Sequence, residues 1–172
     1  MRRLTLLAAF AFVLVPAAAE AQPRIMLGGG ISNPIGDLSD GAATGFHGRV
    51  GLQVSVPTFP VSARGDADYH RFGEGDIAGS KYNVLSGALS AVLTLPGVGI
   101  SPYVLAGVGA YRIGFDVLGV SDSDTETGFH GGFGVNLGAL GFGGFAEIRF
   151  INVSTESATN FRYIPVTVGI RL

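Results

Sequence analysis

The chain contains no cysteine, so neither a disulfide framework nor a thiolate metal site is available to it. Charge is also scarce: 14% of residues are Asp, Glu, Lys or Arg, against about 25% in ordinary soluble domains. With a formal net charge of −2 and no basic cluster, nothing in the chain offers an electrostatic footprint for nucleic acid. Glycine is abundant, at 28 residues, but it has no Gly-X-Y period, and an apolar fraction of 47% is too high for a disordered tract. What these shortages leave is a chain that folds in contact with lipid.

Uninterrupted membrane-helix stretches are missing as well. The longest charge-free run, Tyr82 to Tyr111, is broken in its middle by Pro96, Gly97, Gly99 and Pro102, and its halves are strand-sized, so it reads as a hairpin. At the start of the chain, Arg2 and Arg3 precede an apolar stretch from Leu4 to Val15 that is too short to span a bilayer, and Ala19-Glu20-Ala21 forms a small-x-small cleavage site. Residues 1–21 are therefore expected to be a signal peptide, and 22–172 the mature domain, starting at Gln22. Taking Arg2, Arg3 and Glu20 out of the 11 basic and 13 acidic residues moves the formal charge from −2 to −3.

What the mature chain does have is a period of two, the strand signature. Phe46, Gly48, Val50, Leu52, Val54 and Val56 alternate with His47, Arg49, Gly51, Gln53 and Ser55. Phe129, Gly131, Phe133, Val135 and Leu137 alternate with His130, Gly132, Gly134, Asn136 and Gly138, and Ile164, Val166, Val168, Ile170 and Leu172 with Tyr163, Pro165, Thr167, Gly169 and Arg171. Eight such runs are expected: Arg24 to Pro34, Gly45 to Val56, Val61 to Phe72, Lys81 to Leu95, Ser101 to Phe115, Gly128 to Gly138, Phe142 to Asn152 and Phe161 to Leu172. Three connections, Pro57 to Pro60, Pro96 to Ile100 and Ala139 to Gly141, are short and uncharged. The other four, Ile35 to Thr44, Gly73 to Ser80, Asp116 to Thr127 and Val153 to Asn160, are longer and acidic, with Asp37, Asp40, Glu74, Asp76, Asp122, Asp124 and Glu126 among their residues.

An even number of strands of about ten residues, apolar on one face, with short turns at one end and long loops at the other, is what a transmembrane β-barrel needs. The predicted fold is all-β, an eight-stranded antiparallel up-and-down transmembrane barrel. Lipid offers no partner to a strand's N–H and C=O groups, so the sheet has to close on itself.

The export signal, the eight alternating runs, the short turns and the final alternating strand ending in GIRL resemble the small outer-membrane barrels of Gram-negative bacteria, the OmpA/OmpX-type β-barrel domain family. Two features depart from that pattern. The chain ends in Leu172, where such proteins usually end in Phe or Trp, and it has no Trp for the interfacial girdles. The resemblance implies insertion by the barrel-assembly machinery, contact with outer-membrane lipids including lipopolysaccharide, and residence in the bacterial outer membrane. The chain is read as a structural or surface-interaction protein with no cofactor, in which the acidic outer loops, carried on a rigid scaffold and free to specialise, form a contact surface for a surface ligand. The alternatives are a narrow channel for small solutes and a lipid-modifying outer-membrane enzyme. No peptidoglycan-binding domain follows the barrel, which reads against a cell-wall tether.

The pentapeptide TGFHG occurs at Thr44 to Gly48 and again at Thr127 to Gly131. With the mature start on the periplasmic side, both copies are expected to open strands descending from outer loops, the second and the sixth, on opposite walls. Phe46 and Phe129 would then face lipid, and His47 and His130 the lumen. Weaker likenesses, Ala67-Asp-Tyr-His with Ala146-Glu-Ile-Arg among them, fit a duplicated four-strand half; a single membrane imposing one pattern on every strand explains them equally well.

An eight-stranded barrel is only wide enough for its side chains to fill it. Pairing about the turn Pro57 to Pro60 places Arg49 across from Asp68, His47 across from His70, and Gln53 across from Arg64. Pairing about Ala139-Leu140 places His130 across from Arg149 and Gly132 across from Glu147. His47, Arg49, Arg64, Asp68, His70, His130, Glu147 and Arg149 are thus the expected lumen network, read as charges satisfying one another rather than as a metal or catalytic centre. No His has a Ser two residues on, so a serine nucleophile would have to approach from another strand. The Gly-rich pieces LGGGI and AGVGAY lack a phosphate-cradle context and are expected to let side chains from across the lumen pack against the wall.

Overall fold

The computed structural model describes residues 22–55, 60–75, 81–117, 120–139, 142–154 and 160–172. The proposed signal peptide and its cleavage point therefore lie outside the described residues.

Eight antiparallel strands close into a barrel in chain order. They are β1 (Gln22–Ile35), β2 (Ala42–Ser55), β3 (Val61–Glu74), β4 (Lys81–Thr94), β5 (Ile100–Val117), β6 (Val120–Ala139), β7 (Phe142–Ser154) and β8 (Asn160–Arg171). Closure runs through β1 and β8, which pair from Met26↔Arg171 to Ile35↔Arg162. The last residue contributes too: Ile25 N–H donates to Leu172 O at 3.0 Å and Leu172 N–H to Ile25 O at 2.8 Å. The terminal Leu thus completes the ladder.

Alternation assigns the two faces. Leu89, Val168, Val108, Phe133, Phe46 and Phe129 are all more than half exposed on the outside, whereas His47, His70, His130, Arg49, Arg64 and Glu147 are buried inside. At the short-turn end, Gly99 adopts φ 77°, a left-handed value that glycine reaches without a Cβ penalty. Its carbonyl accepts Gly138 N–H at 2.8 Å, tying the β4–β5 turn to β6.

Three sequence expectations need correction. The acidic stretch Asp116 to Thr127 is not a loop: β5 and β6 stay paired to Val117↔Val120, and Asp122, Asp124 and Glu126 belong to β6. Ser and Thr alternate with the acids in β6, so that stretch has no apolar face of its own, while its backbone is satisfied in the ladder with β5. As a result the second TGFHG copy lies in mid-strand rather than at a strand start. The first begins within a register irregularity between Ala43 and Phe46 in β2. The segment Ile35 to Thr44 is likewise ordered, with a 3₁₀ helix at Gly36–Asp40 and β2 already begun at Ala42.

The third correction concerns register. β2 and β3 pair as expected, Arg49↔Asp68, His47↔His70 and Gln53↔Arg64. β6 and β7 pair instead as Ala139↔Phe142, Gly132↔Arg149, Gly134↔Glu147 and His130↔Ile151. Because Ala139 remains in the ladder, the connection holds two residues and its centre moves by one, which shifts every partner by two and leaves the faces unchanged.

Singly placed cysteines should report these faces. At Leu89, Phe133 or Val168 they are expected to react with a lipid-soluble maleimide, and at Ser90, Asn136 or Thr167 to stay protected; equal labelling of both sets would contradict the alternation.

Candidate functional site: the barrel lumen

Strand β3 gives the vertical order of the lumen. From the short-turn end its inward residues are Arg64, Asp66, Asp68, His70 and Phe72, all buried, and β7 repeats the trend with Glu147, Arg149, Ile151 and Val153. Charge lies deepest, imidazole above it, and apolar side chains nearest the longer connections.

The charged layer has three guanidiniums and three carboxylates. Arg49 Nε donates to Asp68 Oδ1, and Arg49 Nη1 to Glu147 Oε1 at 2.5 Å. Arg64 bridges Asp66 at 3.2 Å and Glu147 at 2.7 Å. Arg149 bridges Asp66 at 2.8 Å and Glu147 at 2.5 Å. Tyr103 adds its hydroxyl to Glu147 Oε2 at 2.7 Å, and its ring lies 5.8 Å from the Arg64 guanidinium carbon. Glu147 is the hub, taking donors from all three arginines and from the tyrosine. The layer is formally neutral, which is what makes six ionised groups tolerable at this burial.

The eight residues expected in the lumen all face it, but not all join one network. His47, His70 and His130 stand apart from the charges. Ser32 Oγ lies 3.0 Å from His47 Nδ1 and 2.8 Å from His70 Nδ1, while His47 Nε2 lies 2.9 Å from Thr167 Oγ1. A serine hydroxyl has a single proton, so at least one of the two imidazoles donates to it. On the other side, His130 Nε2 meets Ser90 Oγ at 2.8 Å and its Nδ1 the Tyr111 hydroxyl at 3.4 Å. Serine therefore does reach histidine from other strands, Ser32 of β1 to β2 and β3 and Ser90 of β4 to β6, an arrangement that local spacing could not reveal. Ser32 is 0% and Ser90 6% exposed, so a substrate carbonyl has no approach to either hydroxyl in this conformation.

Above the imidazoles Phe72, Phe161 and Tyr163 pack edge to face, with centroids 5.5 to 6.1 Å apart. Leu38 of the 3₁₀ helix, Val84, Ile151 and Val153 join them in one apolar cluster. Sequence reasoning missed Asp66, Tyr103 and Tyr111, and put Tyr163 on the inward face without a place in the network. Parity was the available signal for Asp66, which shares a face with Arg64 and Asp68. The glycines serve the same packing. Gly134 faces Tyr103, whose ring would lie 2.5 Å from an added Cβ, and Gly169 seats Phe145 at the same distance. In the Gly-rich pieces themselves, Gly28 meets Thr167 of β8 and Phe145 of β7, and Gly107 meets His130 of β6, so the packing comes from the adjoining strand or the one beyond it, not from across the lumen as the sequence suggested.

Among the described residues, four buried polar atoms inside the barrel have no protein partner: Arg49 Nη2, Asp66 Oδ1, His70 Nε2 and the Tyr163 hydroxyl. Among the described residues no group of three or more His, Cys, Asp or Glu side chains is placed to hold a metal ion, and Asp68, the carboxylate nearest the histidines in β3, is engaged by Arg49.

The acidic positions are spread over several elements. Asp37 and Asp40 fall in the 3₁₀ helix and Glu74 ends β3, exposed. Asp76 lies outside the described residues. Asp122, Asp124 and Glu126 occupy alternate positions of β6, and of these Asp124 is exposed and Glu126 half-buried.

The family model for the outer membrane protein beta-barrel domain matches residues 4–139. Among curated proteins the sequence has no match. Among solved structures the barrel resembles Neisserial surface protein A at 19% identity and a TM-score of 0.72, covering 88% of this chain and 97% of that one. It also resembles Ail, the attachment invasion locus protein of Yersinia pestis, at 15% identity and a TM-score of 0.54, covering 88% and 99%; Ail has also been solved with the heparin analogue sucrose octasulfate. The N-terminal β-barrel domain of Pseudomonas aeruginosa OprF matches at 18% identity and a TM-score of 0.54, covering 89% and 98%.

The hub position makes two expectations testable by urea unfolding in micelles. Glu147→Gln leaves one guanidinium charge uncompensated and should cost on the order of 3 to 5 kcal/mol. A cycle of Arg49→Ala and Asp68→Ala should show coupling beyond about 0.5 kcal/mol; strictly additive effects would contradict the pair.

Proposed function

The chain belongs to the outer membrane protein β-barrel domain family and is an integral outer-membrane protein, and from that premise we propose a structural and surface-interaction role in which the acidic rim is the contact surface. The observation that carries this reading is the way the lumen is occupied. A neutral layer of charge, a layer of hydrogen-bonded imidazoles and an aromatic cluster are stacked along the barrel, so wall and interior are both committed to stability. Residues free to specialise are those carried beyond the wall on a rigid scaffold.

The ordered β5–β6 hairpin strengthens the reading, because Asp122, Asp124 and Glu126 belong to a paired strand instead of a loose loop. Asp37 in the 3₁₀ helix and Glu74 at the end of β3 are exposed and add acidic groups among the longer connections. Such a surface suits a basic or cation-bridged partner. Ail is a contrasting case, since the ligand in its complex is a heparin analogue, whose charge is of the opposite sign. Periplasmic placement of the mature start, insertion by the barrel-assembly machinery and cleavage after Ala21 are part of the same proposal; the intact mass of protein from outer membranes should correspond to Gln22 to Leu172, and a retained Met1 would contradict it.

The contact surface is tested with cells displaying the full-length protein on poly-lysine-coated glass at low salt. Replacing Asp122, Asp124 and Glu126 together by Asn, Asn and Gln should lower retention several-fold while the barrel keeps its heat-modifiable migration. Unchanged retention would remove the acidic face from the function.

A further inference from the structure

The short-turn end of the lumen holds two positive charges with no counter-charge among the described residues. By sequence, the stretches at that end, 22–25, 53–64, 92–103, 135–145 and 169–172, contain three charged side chains, Arg24, Arg64 and Arg171, and no Asp, Glu or Lys. Arg64 is spent on Asp66 and Glu147. Arg24 and Arg171 are half-buried, and among the described residues neither has an ion pair or a side-chain hydrogen bond. The Leu172 carboxyl is turned into the ladder, where its oxygen accepts Ile25 N–H at 3.0 Å.

Register brings the two arginines together on the inward parity. Arg171 pairs with Met26 across the β1–β8 seam, and Arg24 is the next inward residue of β1, so the two are diagonal neighbours, roughly 7 to 8 Å apart. Arg171 Nε would lie 3.4 Å from a Cβ added at Gly143, so its side chain runs over β7 with bare glycine behind it. Arg24 stands opposite Gln53. Gln53 and Asn136 are each 5% exposed and make no side-chain hydrogen bond among the described residues, yet their amides are not sealed from solvent. Above the arginines the lumen closes. Met26, the next inward residue on β1, is 1% exposed with its sulfur 3.8 Å from Arg64 Nη1. The Phe145 ring covers Gly169, the next inward residue on β8, at 2.5 Å from an added Cβ. Thioether and ring thus separate Arg24 and Arg171 from the carboxylates of the charged layer.

We propose that this recess is a binding site for a dissolved phosphate dianion, held between the guanidiniums of Arg24 and Arg171 with the Gln53 amide beside them. Two like charges side by side in a partly buried setting repel, and one doubly charged anion relieves both. Guanidinium presents paired N–H donors in the geometry of phosphate oxygens. The inward parity of both side chains points the site at a solute rather than at a lipid headgroup outside the wall, and the floor of Met26 and Phe145 makes it a seat rather than a passage. The compartment it samples is the periplasm in the orientation proposed above; binding itself does not depend on that orientation, on the acidic rim or on the outer wall.

Binding of inorganic phosphate to the mature barrel in neutral maltoside micelles is measured by titration calorimetry at about pH 8 and low salt, with heat-modifiable migration as the folding check. R24Q and R171Q together should weaken binding about tenfold or more. R71Q and R112Q remove the same charge from exposed positions of β3 and β5 on the outward parity and should leave it unchanged. Chloride at equal ionic strength should not compete, and phosphatidylglycerol doped into the micelle should not displace the phosphate. The proposal is overturned if the wild type takes up no phosphate at millimolar concentration, if R24Q/R171Q binds as the wild type does, if the outward pair weakens binding equally, or if chloride or phosphatidylglycerol displaces the ligand.

Discussion

Everything in this barrel follows from the absence of hydrogen-bonding partners in lipid. A strand crossing the hydrocarbon core must find a neighbour for every N–H and C=O, and the eight strands do so in a ring closed by β1 and β8, down to the reciprocal bonds between Ile25 and Leu172. Closure forces the alternation of faces. Large apolar side chains go out to lipid, and whatever goes in must share a narrow interior.

That interior is where chemistry replaces the hydrophobic effect. Groups inside have no bulk water, so the charges have to balance locally: three arginines meet three carboxylates around Glu147, and a serine and a threonine flank His47. A buried ion cluster contributes little net stability over apolar packing, but leaving one partner out is costly. The resulting arrangement specifies strand register, since a two-residue slip of β7 against β6 would move Glu147 and Arg149 out of reach of their present partners. Asp68 and Glu147, which occupy matching places in the two weakly similar stretches, both serve Arg49.

The fold and its face assignment were legible because membrane and lumen impose opposite chemistry on alternate residues, which a linear sequence displays directly. The β2–β3 register was legible because Pro57 and Pro60 bound the turn. The β6–β7 register was not, since Ala139, Leu140 and Gly141 are small or apolar residues compatible with either turn centre. The β5–β6 hairpin was concealed for a related reason: outside the membrane no apolar face is needed, so SDSDTET reads as a loop although its backbone is paired to Val117↔Val120. Asp66 shared the parity of its neighbours, whereas the placement of Tyr103 over Gly134 and of Ser32 between two histidines depends on neighbouring strands and left no mark in any single stretch.

The central claim is that side chains close the lumen and that the protein acts at its surface. Single-channel recording of the purified barrel in planar bilayers tests it most directly. The account predicts no unitary current steps in 1 M KCl, an ionic strength of about three ångströms' screening length at which buried pairs persist. Regular ohmic steps from the wild-type protein would contradict it, and would make the unpartnered Arg49 Nη2, His70 Nε2 and Tyr163 hydroxyl parts of a water-filled path.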